Sequence, residues 1–399
     1  MTQPLAPKGR GLIVLLAALV AFAPLSIDMY LPSLPTLAGE LGASERQVQH
    51  SISVFLVGLC LGMLFYGPLS DRYGRRPLLL GGILLYVVAS LGCALVQSAD
   101  QLLLWRGLQA LGGAAASVLA RTIVRDLFPL QQSARVLSLM HLVTMLATLV
   151  APLLGSWLMQ LAGWRSIFAC LLGFAALCAL AVWCWVPETH RGEARGHSLA
   201  SAFAAYLSIL RQPRAVGLML CMELSFAGMF AYITASPFVF IERFGFSPSQ
   251  YALLFGANIA GVIVATFLNA RLVGRLGPEI MLRRGSVVSA LAGLWLLLAA
   301  TQPALGWWGV ALGLLLYVSV TGMLGANAIA SLMALFPQRA GAAAALAVAG
   351  QFGLGALASG AVGLLHDGSA WPMCLVVALC GLGAFLSLRL AVRREAVVA

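Results

Sequence analysis

Apolar runs of about 20 residues recur along the whole chain, separated by short polar segments, and each is long enough to cross a ~30 Å hydrocarbon core. The runs are continuous and do not alternate in ten-residue strips, so they read as helices and not as barrel strands, and the predicted fold class is all-α. Twelve spans are expected, near residues 11–34, 48–69, 78–98, 102–124, 136–161, 164–186, 215–240, 249–270, 285–302, 305–332, 341–365 and 371–391. The longest polar stretch, Pro187 to Pro213, falls near the middle. It reads as a cytoplasmic linker (187–213) between two six-helix bundles, residues 1–186 and 214–399.

Composition sharpens this picture of a polytopic membrane protein: 61% of the 399 residues are hydrophobic, only 9% are charged, and the mean hydropathy is +0.96. The 42 glycines read as close helix contacts, as at Gly58, Gly62, Gly112 and Gly113. The eight cysteines lie in apolar runs without a CxxC pair, which favours packing over metal or disulfide chemistry. The basic amino terminus followed by an apolar run resembles a signal peptide. Its run is span-length and lacks a clear small-x-small cleavage site before Asp28, so it reads as a retained first helix.

The formal charge of +11 has a topological explanation. With the amino terminus inside, twenty of the 24 Lys and Arg residues fall in or beside cytoplasmic segments, as the positive-inside rule requires. Only Arg46, Arg165 and Arg243 fall outside, and Arg106 falls within a span. Both termini are therefore expected in the cytoplasm, and a nucleic-acid partner, which would need a basic face on a soluble domain, is disfavoured.

The two bundles echo each other. Asp71-Arg72-Tyr73-Gly74 matches Gly274-Arg275-Leu276-Gly277, Leu127-Phe128-Pro129 matches Leu335-Phe336-Pro337, and Trp164 matches Trp371, at offsets of 203, 208 and 207 residues. Repeated halves are a mark of secondary transporters, which place the substrate between the halves and rock one against the other.

Against this apolar background the intramembrane charges stand out, because a charge within a span is expensive and points to function. Asp28 lies in the first span and Arg106 in the fourth, about six and about four residues from the outer ends, so at ~1.5 Å per residue they share a depth. They are placed to pair, as a coupling element or as a structural ion pair orienting two helices. Glu223, in the inner half of span seven, is a candidate proton site or contact for a cationic substrate, or a carboxylate facing a wet inner vestibule. Tyr30 and Asn258 are candidate substrate contacts. Asn258, Asn327 and Gln351 can line a cavity or bridge helices.

Three motifs resemble those of the major facilitator superfamily. Gly67-Pro68-Leu69-Ser70-Asp71-Arg72-Tyr73-Gly74-Arg75-Arg76-Pro77 resembles its signature loop, which implies that Gly67, Asp71, Arg72, Gly74, Arg75 and Arg76 latch the halves in one state. The second copy has Gly274 where Asp71 would stand, so latching should be asymmetric. Leu104-Trp105-Arg106-Gly107-Leu108-Gln109 resembles the motif whose buried arginine is tied to proton coupling. Ala151-Pro152-Leu153-Leu154-Gly155-Ser156 resembles, in part, the exporter motif, with Pro152 bending the helix and Gly155 allowing close packing.

The segments Pro24-Leu25-Ser26-Ile27-Asp28-Met29-Tyr30-Leu31-Pro32, Tyr66-Gly67-Pro68-Leu69-Ser70-Asp71, Ser225-Phe226-Ala227-Gly228-Met229-Phe230 and Ser236-Pro237-Phe238-Val239 resemble the bicyclomycin-resistance (Bcr/CflA) branch of bacterial drug:proton antiporters. The resemblance implies a monomeric, multi-pass protein of the bacterial inner membrane that exports small amphipathic antibiotics, such as bicyclomycin-like compounds, phenicols or sulfonamides. Asp28 and Arg106 would be its coupling residues, with Glu223 a departure from the branch. No Walker-type loop is present, so the expected driving force is a proton gradient, with no cofactor and no metal. An exporter of an endogenous metabolite such as an amino acid is the alternative. An enzyme is disfavoured, since no nucleophile, base and orienting group cluster together.

Overall fold

The computed structural model describes residues 8–189 and 199–398, so His190, Arg191, Glu193, Arg195 and His197 of the linker lie outside the described residues. The first half comprises α1 (Lys8–Val20), α2 (Phe22–Asp28), α3 (Leu34–Glu40), α4 (Glu45–Tyr73), α5 (Arg75–Leu95), α6 (Ala99–Leu127), α7 (Leu130–Ala162) and α8 (Arg165–Trp185). After α9 (Leu199–Leu210) come α10 (Pro213–Pro237), α11 (Pro248–Leu276), α12 (Pro278–Thr301), α13 (Gly306–Ser319), α14 (Thr321–Leu335), α15 (Ala340–Leu365) and α16 (Trp371–Val398). Eleven stretches among the described residues are long and apolar enough to cross a membrane, and Gly11–Val20 with Phe22–Glu40, bent by 42°, makes a twelfth when taken as one span.

Proline explains where the first span breaks. Pro24, Pro32 and Pro35 each remove a backbone donor, and Leu31–Ser33 winds as a 3₁₀ turn between α2 and α3. Asp28 is the last residue of α2, immediately before that break. Freed backbone groups in a membrane protein are tolerated where protein covers them. Here the 3₁₀ turn is buried and rests on α7, α10 and α11.

The duplication is visible in backbone detail beyond the three sequence echoes. Both α4 and α11 are 29 residues long, both begin with a Ser–Gln capping box, Ser44 with Gln47 and Ser247 with Gln250, and both end at a glycine of positive φ, Gly74 at 96° and Gly277 at 80°. An L-residue with a side chain rarely adopts that φ, so these glycines fix the one-residue turns into α5 and α12.

Small residues bring the helices together, as expected of the glycine pairs. A Cβ added at Gly58 or Gly62 would strike Ala110 or Ala114 on α6, and one at Gly112 would strike the backbone of α5. The second part of the linker is helical: α9 packs Phe203 against Phe65 of α4 at 5.6 Å, and Ser208 accepts a 2.8 Å hydrogen bond from Arg339 of the second half.

The halves meet firmly at the end of the bundle marked by Glu45. There His366 Nε2 lies 2.6 Å from Glu45 Oε2, Ser53 is 2.8 Å from Ser359, and Ser249 meets Ser156 at 3.2 Å and Gln160 at 3.0 Å. At the opposite end, marked by Asp71, a cavity of about 400 Å³ separates α4 and α6 from α15, with Met63, Asp71, Arg121, Tyr206, Ala345 and Val348 among its walls.

Candidate functional site

Asp28 is 4% exposed. The Thr148 hydroxyl of α7 lies beside its carboxylate, and its charge is felt at Tyr232 of α10 and Tyr251 of α11. The tyrosines are held in turn: Asn258 Nδ2 donates to Tyr232 Oη at 2.9 Å, and the Ser236 and Tyr251 hydroxyls are 2.9 Å apart. Asp28 thus belongs to the first half, and its charge reaches two hydroxyl-bearing rings of the second. Hydroxyls both donate and accept, so such groups can serve a carboxylate or a carboxylic acid.

The expected Asp28–Arg106 ion pair is not formed. Arg106, fully buried on α6, lies over the rings of Phe55 at 4.2 Å, Tyr30 at 4.7 Å and Phe168 at 5.9 Å. Its Nη1 donates to Gln109 Oε1 at 2.6 Å, and Gln109 Nε2 donates on to Ser90 at 2.8 Å. Among the described residues, Nε and Nη2 have no hydrogen-bond partner. The depth argument holds, because Arg106 touches Tyr30, two residues from Asp28. The azimuth does not, because residues two apart on a helix point to different sides. Tyr30 turns into the first half, where its hydroxyl is 2.9 Å from that of Ser51, and Asp28 turns out of it. Tyr30 is accordingly the lid of the arginine pocket, and it lies within the first half's interior.

Glu223, 5% exposed on α10, sits against α15, where a Cβ on Gly350 would collide with its carboxylate. Its charge reaches Cys60 of α4, and among the described residues Oε1 has no hydrogen-bond partner. Met63 and Val348, which line the large cavity, are a turn or less along their helices from Cys60 and Gly350. Glu223 therefore lies beyond the residues that line the cavity, at the seam of α4, α10 and α15.

The Asp71 segment is less of a loop than its sequence suggests. Gly67, Asp71 and Arg72 belong to α4, and Gly74 alone makes the turn before Arg75 and Arg76 open α5. Arg75 is nearly buried, 2.6 Å from Asp71 and 3.2 Å from Asp126, and also donates to Ser70. Glu188, just past α8, accepts the backbone N–H groups of Arg75 at 3.0 Å and Arg76 at 3.2 Å, while Arg76 Nη2 bonds the Trp183 carbonyl at 2.7 Å. These partners are in the first half, save Glu188 at the start of the linker. In this state the segment braces its own half and faces α15 across the cavity.

Pro152 lies inside α7. One turn on, a Cβ at Gly155 would fall on the Met29 carbonyl, so this glycine lets α7 touch the broken backbone beside Asp28. The neighbouring Ser156 reaches Ser249 in the other half. Asn327 bridges helices, donating to Asn269 at 2.7 Å. Sequence reasoning missed Thr148, Gln109, Tyr232 and Tyr251. A polar face was nevertheless present in the four-residue spacing of Tyr232 and Ser236.

A family model described as Major Facilitator Superfamily matches residues 16–360. The chain is 35% identical over 369 residues to a bicyclomycin resistance protein homolog of Haemophilus influenzae, covering 92% of each. It is 32% identical to a chloramphenicol resistance protein of Pseudomonas aeruginosa, covering 93% of this chain and 89% of that one. Among solved structures, a bacterial homolog of the human lysosomal transporter Spinster superposes with a TM-score of 0.75 at 15% identity, covering 98% of each chain.

Proposed function

The chain belongs to the Major Facilitator Superfamily, a family of transporters and not of enzymes, and we propose that it exports small amphipathic antibiotics across the bacterial inner membrane in exchange for protons. Relatives named for bicyclomycin and chloramphenicol resistance support the substrate class. The observation that carries the reading is the position of Asp28, a buried carboxylate of one half next to a turn that packs on α10 and α11 of the other, with its charge reaching Tyr232 and Tyr251 there. Whatever changes its charge changes the fit between the halves, and this is the coupling an alternating-access carrier needs.

With the arginine-rich end in the cytoplasm, both termini are cytoplasmic and the 400 Å³ cavity opens inward. Substrate enters there from the cytoplasm or the inner leaflet, and Asp28 gives up its proton. The halves then rock, closing the Asp71 end and parting at the Glu45 end. The drug leaves outward, and protonation of Asp28 from the periplasm resets the carrier. Among the described residues two guanidinium nitrogens of Arg106, beside Tyr30, keep no hydrogen-bond partner, a buried cation that stays within the first half through the working cycle. Glu223 supplies a second acidic contact beyond the cavity's lining, suited to a cationic group. The transporter works as a monomer.

Substrate-induced proton release from detergent-purified protein tests this, comparing wild type with Asp28→Asn over a panel that includes bicyclomycin and chloramphenicol. Release from wild type that disappears in Asp28→Asn is the expected result. Undiminished release from the variant would move the proton site elsewhere, and no release from either would end the antiport reading.

A further inference from the structure

At the Glu45 end three titratable groups from three elements meet across the seam between the halves. Glu45 opens α4 in the first half; Glu242 lies in the π-helical extension Phe238–Arg243 of α10, and His366 follows α15, both in the second. His366 Nε2 is 2.6 Å from Glu45 Oε2, and Glu242 lines the same cavity beside them. That cavity, of about 200 Å³, is also lined by Phe238, whose ring meets the imidazole edge-on at 6.1 Å. We propose that Glu45, Glu242 and His366 form a second proton-binding site, distinct from Asp28, whose occupancy clasps the Glu45 end shut.

The chemistry dictates the sign. Two carboxylates brought into one small cavity resist being ionised together, so their approach favours a proton there. A His–carboxylate contact of this length is strongest with the imidazole protonated. When the halves part, Glu45 leaves with the first half while Glu242 and His366 stay with the second, and Glu45 loses both neighbours. The closed form therefore binds more protons than the open one, and by linkage lower pH on that side shifts the population toward closure. Other charged groups nearby do not replace this contact. Arg46 and His50 lie on α4 beside Glu45, Glu40 of α3 pairs with Arg165 and Trp164, Arg243 bonds the Gly368 carbonyl, and Asp367 binds the backbone of Ser369. In the proposed cycle the site faces the periplasm, the acidic side of an energised inner membrane. Proton uptake there would close the outer gate behind departed substrate while Asp28 resets.

This inference rests on the alternating-access reading but not on drug exchange, so its test uses no drug. Nitroxides on unnatural ketone side chains at Gln97 and Gln302, exposed at the Glu45 end in different halves, leave the native cysteines in place. Pulsed EPR distances are then compared from about pH 8 to about pH 5, the range in which His and paired carboxyls titrate. The expected result is a short-distance population that grows on acidification, its ratio to the long one rising by at most about tenfold per pH unit for one proton. That dependence persists in Asp28→Asn and is flattened in Glu45→Gln and in Glu242→Gln. A pH-dependence lost in Asp28→Asn but kept in both glutamine variants would overturn the proposal, as would distances indifferent to pH in wild type. Elution of each variant as a monodisperse peak guards against misfolding as the cause.

Discussion

Asp28 and Glu223 are both carboxylates buried between the halves, 4% and 5% exposed, yet their surroundings are opposite. Asp28 has the Thr148 hydroxyl beside it and two tyrosines of the other half within reach of its charge. Glu223 presents Oε1 to no hydrogen-bond partner among the described residues and packs on the bare backbone of Gly350. A carboxyl among hydroxyls can exchange its proton while keeping a hydrogen-bond partner in either form. A carboxylate without a partner costs about 1–3 kcal/mol or more for the unmade bond, and that cost is relieved by an occupant from outside. The first environment suits an internal switch, the second a receptor for something that enters the adjoining cavity.

Substituting each acid by its amide separates the two roles. Asp28→Asn should abolish uphill export of every substrate, lowering pH-gradient-driven transport in proteoliposomes to the level of empty liposomes, because the amide keeps the shape and cannot carry the proton. Glu223→Gln should act selectively, weakening cationic substrates by about tenfold, the scale of one charge-assisted contact of ~1.5 kcal/mol. Neutral substrates should be exported nearly as before. Equal losses for cationic and neutral drugs in Glu223→Gln would make it a second switch and erase the distinction.

A packing change probes the same comparison from behind. Gly155 touches the Met29 carbonyl next to Asp28, so Gly155→Ala must push α7 from the broken first span. Overpacking of this kind costs roughly 1–3 kcal/mol. The variant should show a lower Tm in detergent together with impaired transport. Gly274→Ala, at a position with open space around it, should change neither. A Gly155→Ala protein as stable as wild type would mean that α7 and the first span are not in contact in the state that predominates.

The sequence made the spans, the repeat and the identities of the intramembrane charges legible, because hydropathy and the cost of buried charge are local properties. Direction around a helix axis was harder to read. Asp28 and Arg106 were correctly set at one depth and wrongly set face to face, since the breaks at Ala21 and Leu31–Ser33 fix which way Asp28 turns. Tyr232 and Tyr251 escaped notice because a tyrosine in an apolar run has no signature until a partner from a distant helix arrives. The linker looked wholly polar, yet Leu199–Leu210 is a helix carrying Phe203 and Tyr206 onto the bundle.

The duplicated turns give the finest test of what was inherited and what was added. Their backbones match down to the capping boxes and the positive-φ glycines, but their charges diverge. In the first, Arg75 is nearly enclosed by Asp71, Asp126 and Ser70. In the second, Pro278 and Glu279 follow Gly277, and Glu279 reaches Arg214 at 2.5 Å with both side chains substantially exposed. Removing one member of an enclosed pair strands the other, whereas an exposed pair is screened by water. Arg75→Ala should thus lower stability by about 1–3 kcal/mol, and Arg214→Ala by less than about 1 kcal/mol, both read from thermal unfolding in detergent. Raising salt should narrow the Arg214 effect and leave that of Arg75 nearly intact, because exposed charges are screened far more than enclosed ones. Equal sensitivity at the two turns would mean that the second half keeps a brace its sequence does not show.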